Sequence, residues 1–97
     1  MDTSIKPDAW VWIVVQDPGS NEQFLGQTSK EENIDFIPTF LNKEDAQQCF
    51  PQMLKEKGHK YEIQAILFEE LASDAAQNGF MIFIVNDNGE ITEKIKP

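Results

Sequence analysis

The only histidine, His59, is the first residue to test for chemistry, because histidine is the usual proton donor or acceptor near neutral pH. It stands between Gly58 and Lys60, in a short connector after a predicted helix. The sequence offers no second histidine as a metal partner and no serine in a strained strand-to-helix turn as a nucleophile. The pattern therefore predicts a solvated loop histidine near a helix C-terminus.

Three pairs of neighbouring acids are the next candidates, since a carboxyl group with a raised pKa can act as a general acid. The pairs are Glu31-Glu32, Glu44-Asp45 and Glu69-Glu70. All fall in predicted loops or first helical turns, where acids are usually solvated or stabilised by the helix dipole. We therefore predict no catalytic residue, and an enzyme built on these acids and His59 is the least favoured alternative.

The single cysteine, Cys49, leaves no partner for a disulfide within this chain and no thiolate metal cluster. It lies on the apolar side of a predicted helix, and buried cysteines mostly behave as small hydrophobic side chains. We expect Cys49 to be an unreactive core residue.

Segment 86–91 superficially resembles the middle of a calcium-binding EF-hand loop. With Gly89 in the sixth position of such a loop, Ile84 and Ile95 would occupy the first and last ligand positions, and isoleucine cannot bind calcium. The five glycines are scattered, so the sequence contains no phosphate-binding loop. The sequence predicts an Asn-Gly hairpin turn of type I′ here, and no metal or cofactor.

Charge and composition narrow the class of partner. Seventeen acidic against eight basic residues give a formal net charge of −9, which repels nucleic acid and anionic lipid. Hydrophobic residues make up 40% of the chain, enough for a folded core, and no apolar run approaches the roughly 20 residues of a membrane span. We predict a single cytoplasmic domain over residues 1–97, with 1–8 as a flexible tail, and expect neither nucleic-acid nor membrane binding.

The clearest helix signal covers residues 43–57. Asn42 precedes it as an N-cap and Gly58 follows it as a C-terminal stop. Its apolar stripe has helical spacing and consists of Ala46, Cys49, Phe50, Met53 and Leu54. Pro51 interrupts the pattern because it lacks an N–H, so we expect a kink near Phe50 or two short helices with Pro51 opening the second.

The strand signals include two segments, 10–15 and 80–85, that are apolar on both faces and so belong inside a sheet. A second helix is predicted over 68–77, where Asn78 and Gly79 stop it. The remaining predicted strands are 23–28, 34–37, 61–67 and 91–95. Pro38 is expected to end the strand before it or to confine that strand to an edge.

Strands 10–15 and 80–85 have apolar side chains to bury on both faces of the sheet, and the sequence predicts only two helices that could pack on them. If both helices lie on one face, an apolar patch remains on the other, and such patches commonly mark a protein interface. The candidate partner or ligand face consists of Trp10, Trp12, Phe80, Ile82 and Ile84. The alternative is that the helices divide between the two faces, or that the tail and loops cover the second face.

The order strand–helix–strand–helix–strand over residues 34–86 resembles the N-terminal domain of SseB-type proteins (enhanced serine sensitivity protein B). The similar segments are 37–45, Ile-Pro-Thr-Phe-Leu-Asn-Lys-Glu-Asp, then 63–71, and 79–86, Gly-Phe-Met-Ile-Phe-Ile-Val-Asn. The resemblance implies an α+β domain found in cytosolic bacterial proteins, and it brings no catalytic residues with it. A small bacterial family of similar fold is the alternative.

Taken together, the residues predict an α+β fold with a mixed or largely antiparallel sheet of five to six strands and two helices mainly on one face. We predict a non-catalytic protein-interaction or regulatory module that forms a homodimer or binds another protein. The alternative is a small-molecule binding domain with an apolar pocket near Trp10 and Trp12.

Overall fold

The chain folds as strands interleaved with two α-helices in a computed structural model that describes residues 3–53 and 55–97. The strands are β1 (Trp10–Gln16), β2 (Gln23–Phe24), β3 (Gln27–Ser29), β4 (Ile34–Thr39), β5 (Tyr61–Leu67), β6 (Met81–Val85) and β7 (Ile91–Ile95). The helices are α1 (Lys43–Cys49) and α2 (Phe68–Asn78), and a short 3-10 helix (Phe50–Gln52) follows α1. The predicted α+β class is confirmed.

The strands form two sheets, in the orders β2-β1-β5 and β3-β4-β6-β7, where a single sheet of five to six strands was expected. Only the β4–β6 pair is parallel. The sheets meet where Trp12 and Phe40 exchange two backbone hydrogen bonds of 2.8 Å. Beyond that bridge β2 pairs with β1, and β3 pairs with β4. The segment that follows β1 therefore contributes one short strand to each sheet.

Gly26 lies between β2 and β3, where the chain passes from one sheet to the other. A Cβ atom at this position would lie 2.8 Å from the ring of Phe80 and 3.6 Å from the carbonyl oxygen of Phe36. Glycine therefore permits the close approach that breaks the predicted strand 23–28 into two short strands.

Pro38 lies inside β4, which contradicts the expectation that it would end the strand or place it at an edge. The N–H of Phe40 points toward β1, and successive N–H groups alternate between the two edges of a strand. The nitrogen of Pro38 therefore points to the same side, between the last β3 partner, Phe36, and the bridge at Phe40. On that side of β4 no described strand pairs with Pro38, although β6 pairs with it on the other side. The missing N–H therefore costs no ladder hydrogen bond.

The first helix begins as predicted and ends earlier than predicted. The backbone N–H of Asp45 donates to Asn42 Oδ1 at 2.9 Å, which confirms the N-cap. α1 stops at Cys49, and Pro51 falls in the first turn of the 3-10 helix that follows. The expected break near Phe50 is confirmed, whereas continuation to residue 57 is wrong because Met53 is already extended. Leu54, the last residue of the predicted stripe, lies outside the described residues.

The two helices pack on opposite faces, which corrects the expectation that both lie mainly on one face. The α2-side core contains the buried residues Val11, Ile13, Val15, Ile37, Phe68, Leu71, Ala72, Ala75, Ile82, Ile84 and Ile95. The α1-side core contains Phe40, Ala46, Cys49 and Val85, with Trp12 and Ile63 packed against them. Strand side chains alternate between faces, so β1 and β6 each supply both cores and each helix covers one.

The ends of α2 and of the last hairpin follow their local sequence. Gly79 adopts a left-handed φ of 76° and its N–H donates to Ala75, which confirms the predicted stop. In the turn 86–89 only Gly89 has a positive φ, and its N–H donates to the carbonyl of Asn86. A type I′ turn needs positive φ at both central residues, so this turn is instead a type I turn followed by a left-handed glycine.

The N-terminal segment contacts the domain where it is described, from Thr3 onward. Thr3 Oγ1 donates to Glu93 Oε2 at 2.6 Å, and Ile5 packs against the α2-side core. The N–H of Glu69 donates to the carbonyl of Pro7 at 2.9 Å. Residues 3–8 of the expected tail thus lie along β7 and the start of α2, and residues 1–2 lie outside the described chain.

Candidate functional site

The predicted apolar face does not exist as one surface. Ile82 and Ile84 are buried on the α2 side, and Phe80 is half-buried against the same core. Trp12 points to the opposite face, against the α1-side core, while Trp10 is 63% exposed. The five residues do not share one face of the fold, because α1 covers one face and α2 covers the other.

The tryptophans do not form the wall of a pocket either, which corrects the alternative placed near them. The ring of Trp12 lies beneath the ammonium group of Lys43, 5.7 Å from the ring centroid. Neither tryptophan lines the groove beside α2 or the smaller apolar cleft beside Cys49. Trp10 remains an isolated exposed side chain at the start of β1.

His59 is exposed, as predicted, and it holds two loops together. Its Nδ1 lies 2.7 Å from Asp17 Oδ2, and its Nε2 lies 3.5 Å from Glu56 Oε2. The backbone N–H of Lys60 donates to the other Asp17 oxygen at 3.2 Å. The hydrogen bond with His59, and then that from Lys60, hold the pKa of Asp17 below its ordinary value. These contacts tie the turn after β1 to the loop before β5.

Asp17→Asn is expected to lower the thermal unfolding midpoint at neutral pH and to have little effect in acid. Folding lowers the pKa of Asp17, so the carboxylate stabilises the native state above its unfolded pKa, about 3.8. That contribution is lost as the pH falls through the lower folded value. Midpoints measured by circular dichroism should therefore differ at neutral pH and converge as the pH falls through the lowered pKa of folded Asp17.

The matched experiment uses His59→Ala, which removes the same contact from its other side. In that background Asp17→Asn should change the midpoint less than it does in the wild type, because contacting residues are not additive. A midpoint difference that stays constant with pH would contradict the assignment.

Cys49 is buried and its thiol is engaged with the turn after β6. The Sγ atom lies 3.2 Å from the carbonyl oxygen of Asn86, to which the thiol donates. Burial raises the pKa of this thiol, which lowers the fraction of nucleophilic thiolate. Its placement in the α1-side core fits the expected hydrophobic role.

The outer edge of β5 is the feature of the fold best suited to binding another chain. β5 is the last strand of its sheet, and no other described strand pairs with its far side. Asp17 N–H donates to the Lys60 carbonyl at one end of the β1–β5 ladder, and Phe68 N–H donates to the Ala9 carbonyl at the other. These bonds fix which backbone groups of β5 face β1.

Antiparallel strands alternate between residues that bond to the partner and residues that point away from it. Since positions 60 and 68 bond to the β1 side, positions 62, 64 and 66 do as well. The residues whose N–H and C=O groups face away from β1, where no described strand pairs with them, are Tyr61, Ile63, Ala65 and Leu67. This set is called the β5 edge below.

β5 and β7, the longer end strands of the two sheets, differ in how they discourage pairing. β7 lies at the end of its sheet and carries Glu93 and Lys94 within five residues, and charged side chains discourage pairing at an edge. β5 is seven residues long and contains one charged residue, Glu62. An edge this long and this weakly charged is a template for a further strand.

Sequence reasoning placed β5 correctly and missed its position at an edge. The strand was predicted over 61–67 from its alternation, and the structure has the same limits. Strand order depends on long-range pairing, and the scarcity of charge in β5 is more typical of an interior strand than of an edge.

Comparison of the chain with protein-family models, curated proteins and solved structures found no match. Among residues 3–53 and 55–97, no group of three or more His, Cys, Asp or Glu side chains is placed to hold a metal ion. No helix in the same residues is long and apolar enough to cross a membrane.

Proposed function

We propose that the chain is a non-catalytic protein-interaction module that binds a second copy of itself through the β5 edge. The observation that carries the proposal is a row of backbone groups with no partner strand among the described residues, on a seven-residue strand with one charge. Two such edges can pair antiparallel about a two-fold axis and extend the sheet across both copies.

A two-fold axis centred on Gln64 uses every residue of the β5 edge. In that register Ile63 lies opposite Ala65, and Tyr61 lies opposite Leu67. The backbone N–H and C=O groups of these four residues face away from β1. Each opposed pair can therefore form about two backbone hydrogen bonds with the other copy. The side chains of these pairs are apolar apart from the tyrosine hydroxyl, so they add cross-strand contact on the α1 side.

The charges near β5 are compatible with this register. Glu62 lies opposite Ile66, so no like-charged residues face each other along the strand. Lys60 directly precedes β5, and Glu69 is the second residue of α2, which follows β5. Antiparallel pairing brings Lys60 of one copy near Glu69 of the other, and the two charges attract across the interface.

The expected affinity is low. Each backbone hydrogen bond contributes only about 0.5–1.5 kcal/mol net, and pairing along one strand buries less surface than a standard protein interface. The net charge of −9 on each copy opposes association further. We therefore expect a reversible dimer that forms in the micromolar range and strengthens with salt as the repulsion is screened.

Sedimentation velocity over a concentration series tests the proposal, with hydrogen exchange as the structural readout. Amides of Tyr61, Ile63, Ala65 and Leu67 should gain protection as the protein concentration rises, because pairing satisfies them. Ala65→Lys should weaken association about tenfold or more, since a lysine blocks strand pairing at an edge.

The matched control is Ala76→Lys, which makes the same change at an exposed position on α2. It should leave association nearly unchanged. The proposal is overturned by a wild-type chain that stays monomeric at high micromolar concentration, or by equal weakening in the two lysine variants.

A further inference from the structure

A groove runs beside α2, on the face of the sheet that this helix partly covers. One wall is a single helical stripe, Glu70, Asp74 and Asn78, with residues four apart. The opposite side is β5, and the segment Glu22 to Phe24 closes one end. The groove has a volume of about 810 Å³, within the range of sites that hold small organic molecules.

The floor of the groove is apolar. Core residues from two strands, Ile13 and Val15 of β1 and Ile37 of β4, lie beneath it, and their side chains are almost fully buried. The half-buried side chains Phe24, Ile66 and Phe80 supply the accessible apolar surface of the groove. A ligand with a hydrocarbon or aromatic body would remove this remaining apolar surface from water.

The rim of the groove is acidic, and none of its lining residues is a lysine, arginine or histidine. Glu22 accepts a hydrogen bond from the N–H of Gly19 at 2.6 Å, which fixes this acid at the closed end. Glu70 lies in the first turn of α2, where the helix dipole favours it. Asp74 lies one turn further, and like charges four residues apart destabilise a helix. A bound cation would remove that repulsion.

We propose that this groove binds a small organic cation, with its ammonium group between Glu70 and Asp74 and its apolar body against Phe24, Ile66 and Phe80. Gln64 and Asn78 also line the groove and supply amide groups beside the ammonium. A cation is favoured because the rim is acidic, and an organic body is favoured because the floor is apolar. The inference concerns a different surface from the β5 edge, and each can fail without the other.

The probes are 4-phenylbutylamine and 4-phenylbutan-1-ol, which share the apolar body and differ in charge. Titrations followed by amide chemical shifts are made at a protein concentration where the chain is monomeric. The amine should bind at least about fivefold more tightly than the alcohol, the factor that one exposed ion pair supplies. Its largest shifts should fall on Gln64, Ile66, Asp74 and Phe80.

The double variant Glu70→Gln with Asp74→Asn isolates the charge. It should reduce the affinity for the amine to that for the alcohol and leave the affinity for the alcohol unchanged. The matched control, Glu31→Gln with Asp87→Asn, removes one glutamate and one aspartate elsewhere and should keep the preference for the amine. Circular dichroism checks that both variants are folded.

Three results would overturn the inference. The first is no binding of the amine, and the second is equal binding of the amine and the alcohol. The third is the same loss of amine affinity in both double variants, which would assign the preference to net charge alone.

Discussion

Ile82→Asp is expected to leave the chain largely unfolded, whereas Trp10→Asp is expected to leave it folded. Ile82 has no exposed surface and packs beneath α2, among the residues of the α2-side core. Aspartate there removes a buried aliphatic side chain and places a carboxyl group among apolar neighbours. The two effects together cost more than about 5 kcal/mol, which matches the whole stability of many small domains.

Trp10 provides the comparison because the sequence alone assigned both residues to one exposed face. Its side chain is 63% exposed, so aspartate should cost no more than about 1 kcal/mol through lost strand propensity and packing. Far-ultraviolet circular dichroism and the dispersion of amide resonances distinguish the two variants. If Ile82→Asp folded as stably as Trp10→Asp, the placement of α2 over β6 would be wrong.

Local rules were enough for the elements whose limits are set by nearby residues. Asn42 caps α1 by accepting from Asp45 N–H, and Gly79 ends α2 in a left-handed conformation. Both interactions span only a few residues, so the sequence carries them explicitly. The limits of β5 followed in the same way from its alternation.

The joining of the two sheets and the position of Pro38 depend on long-range pairing, which the sequence pattern does not specify. The Trp12–Phe40 bridge, which joins the two sheets, connects residues 28 positions apart, and no pattern in either segment specifies it. Pro38 violates a rule for strand interiors and is tolerated because its neighbours pair around it. The rule on proline is sound, but applying it requires knowing which edge of the strand is paired.

The candidate site was misplaced for a related reason. Two doubly apolar strands and two helices left open whether one sheet face stays uncovered, and the fold adopts the alternative of one helix on each face. The choice depends on where the connections cross the sheet, which is a property of topology. The β5 edge and the groove beside α2 both depend on that topology, so neither could be located beforehand.

Phe68→Ala is expected to lower the free energy of unfolding by about 3–5 kcal/mol, the usual cost of deleting a buried phenylalanine ring. Phe68 is the first residue of α2, it has no exposed surface, and it belongs to the α2-side core. Alanine is the better helix former, so the lower free energy of unfolding would come from lost packing and not from helix propensity. Phe50→Ala is the control, because Phe50 is half-buried on the short 3-10 helix and should cost about 1 kcal/mol. Urea denaturation at neutral pH measures both values, and equal losses would contradict a core centred beneath α2.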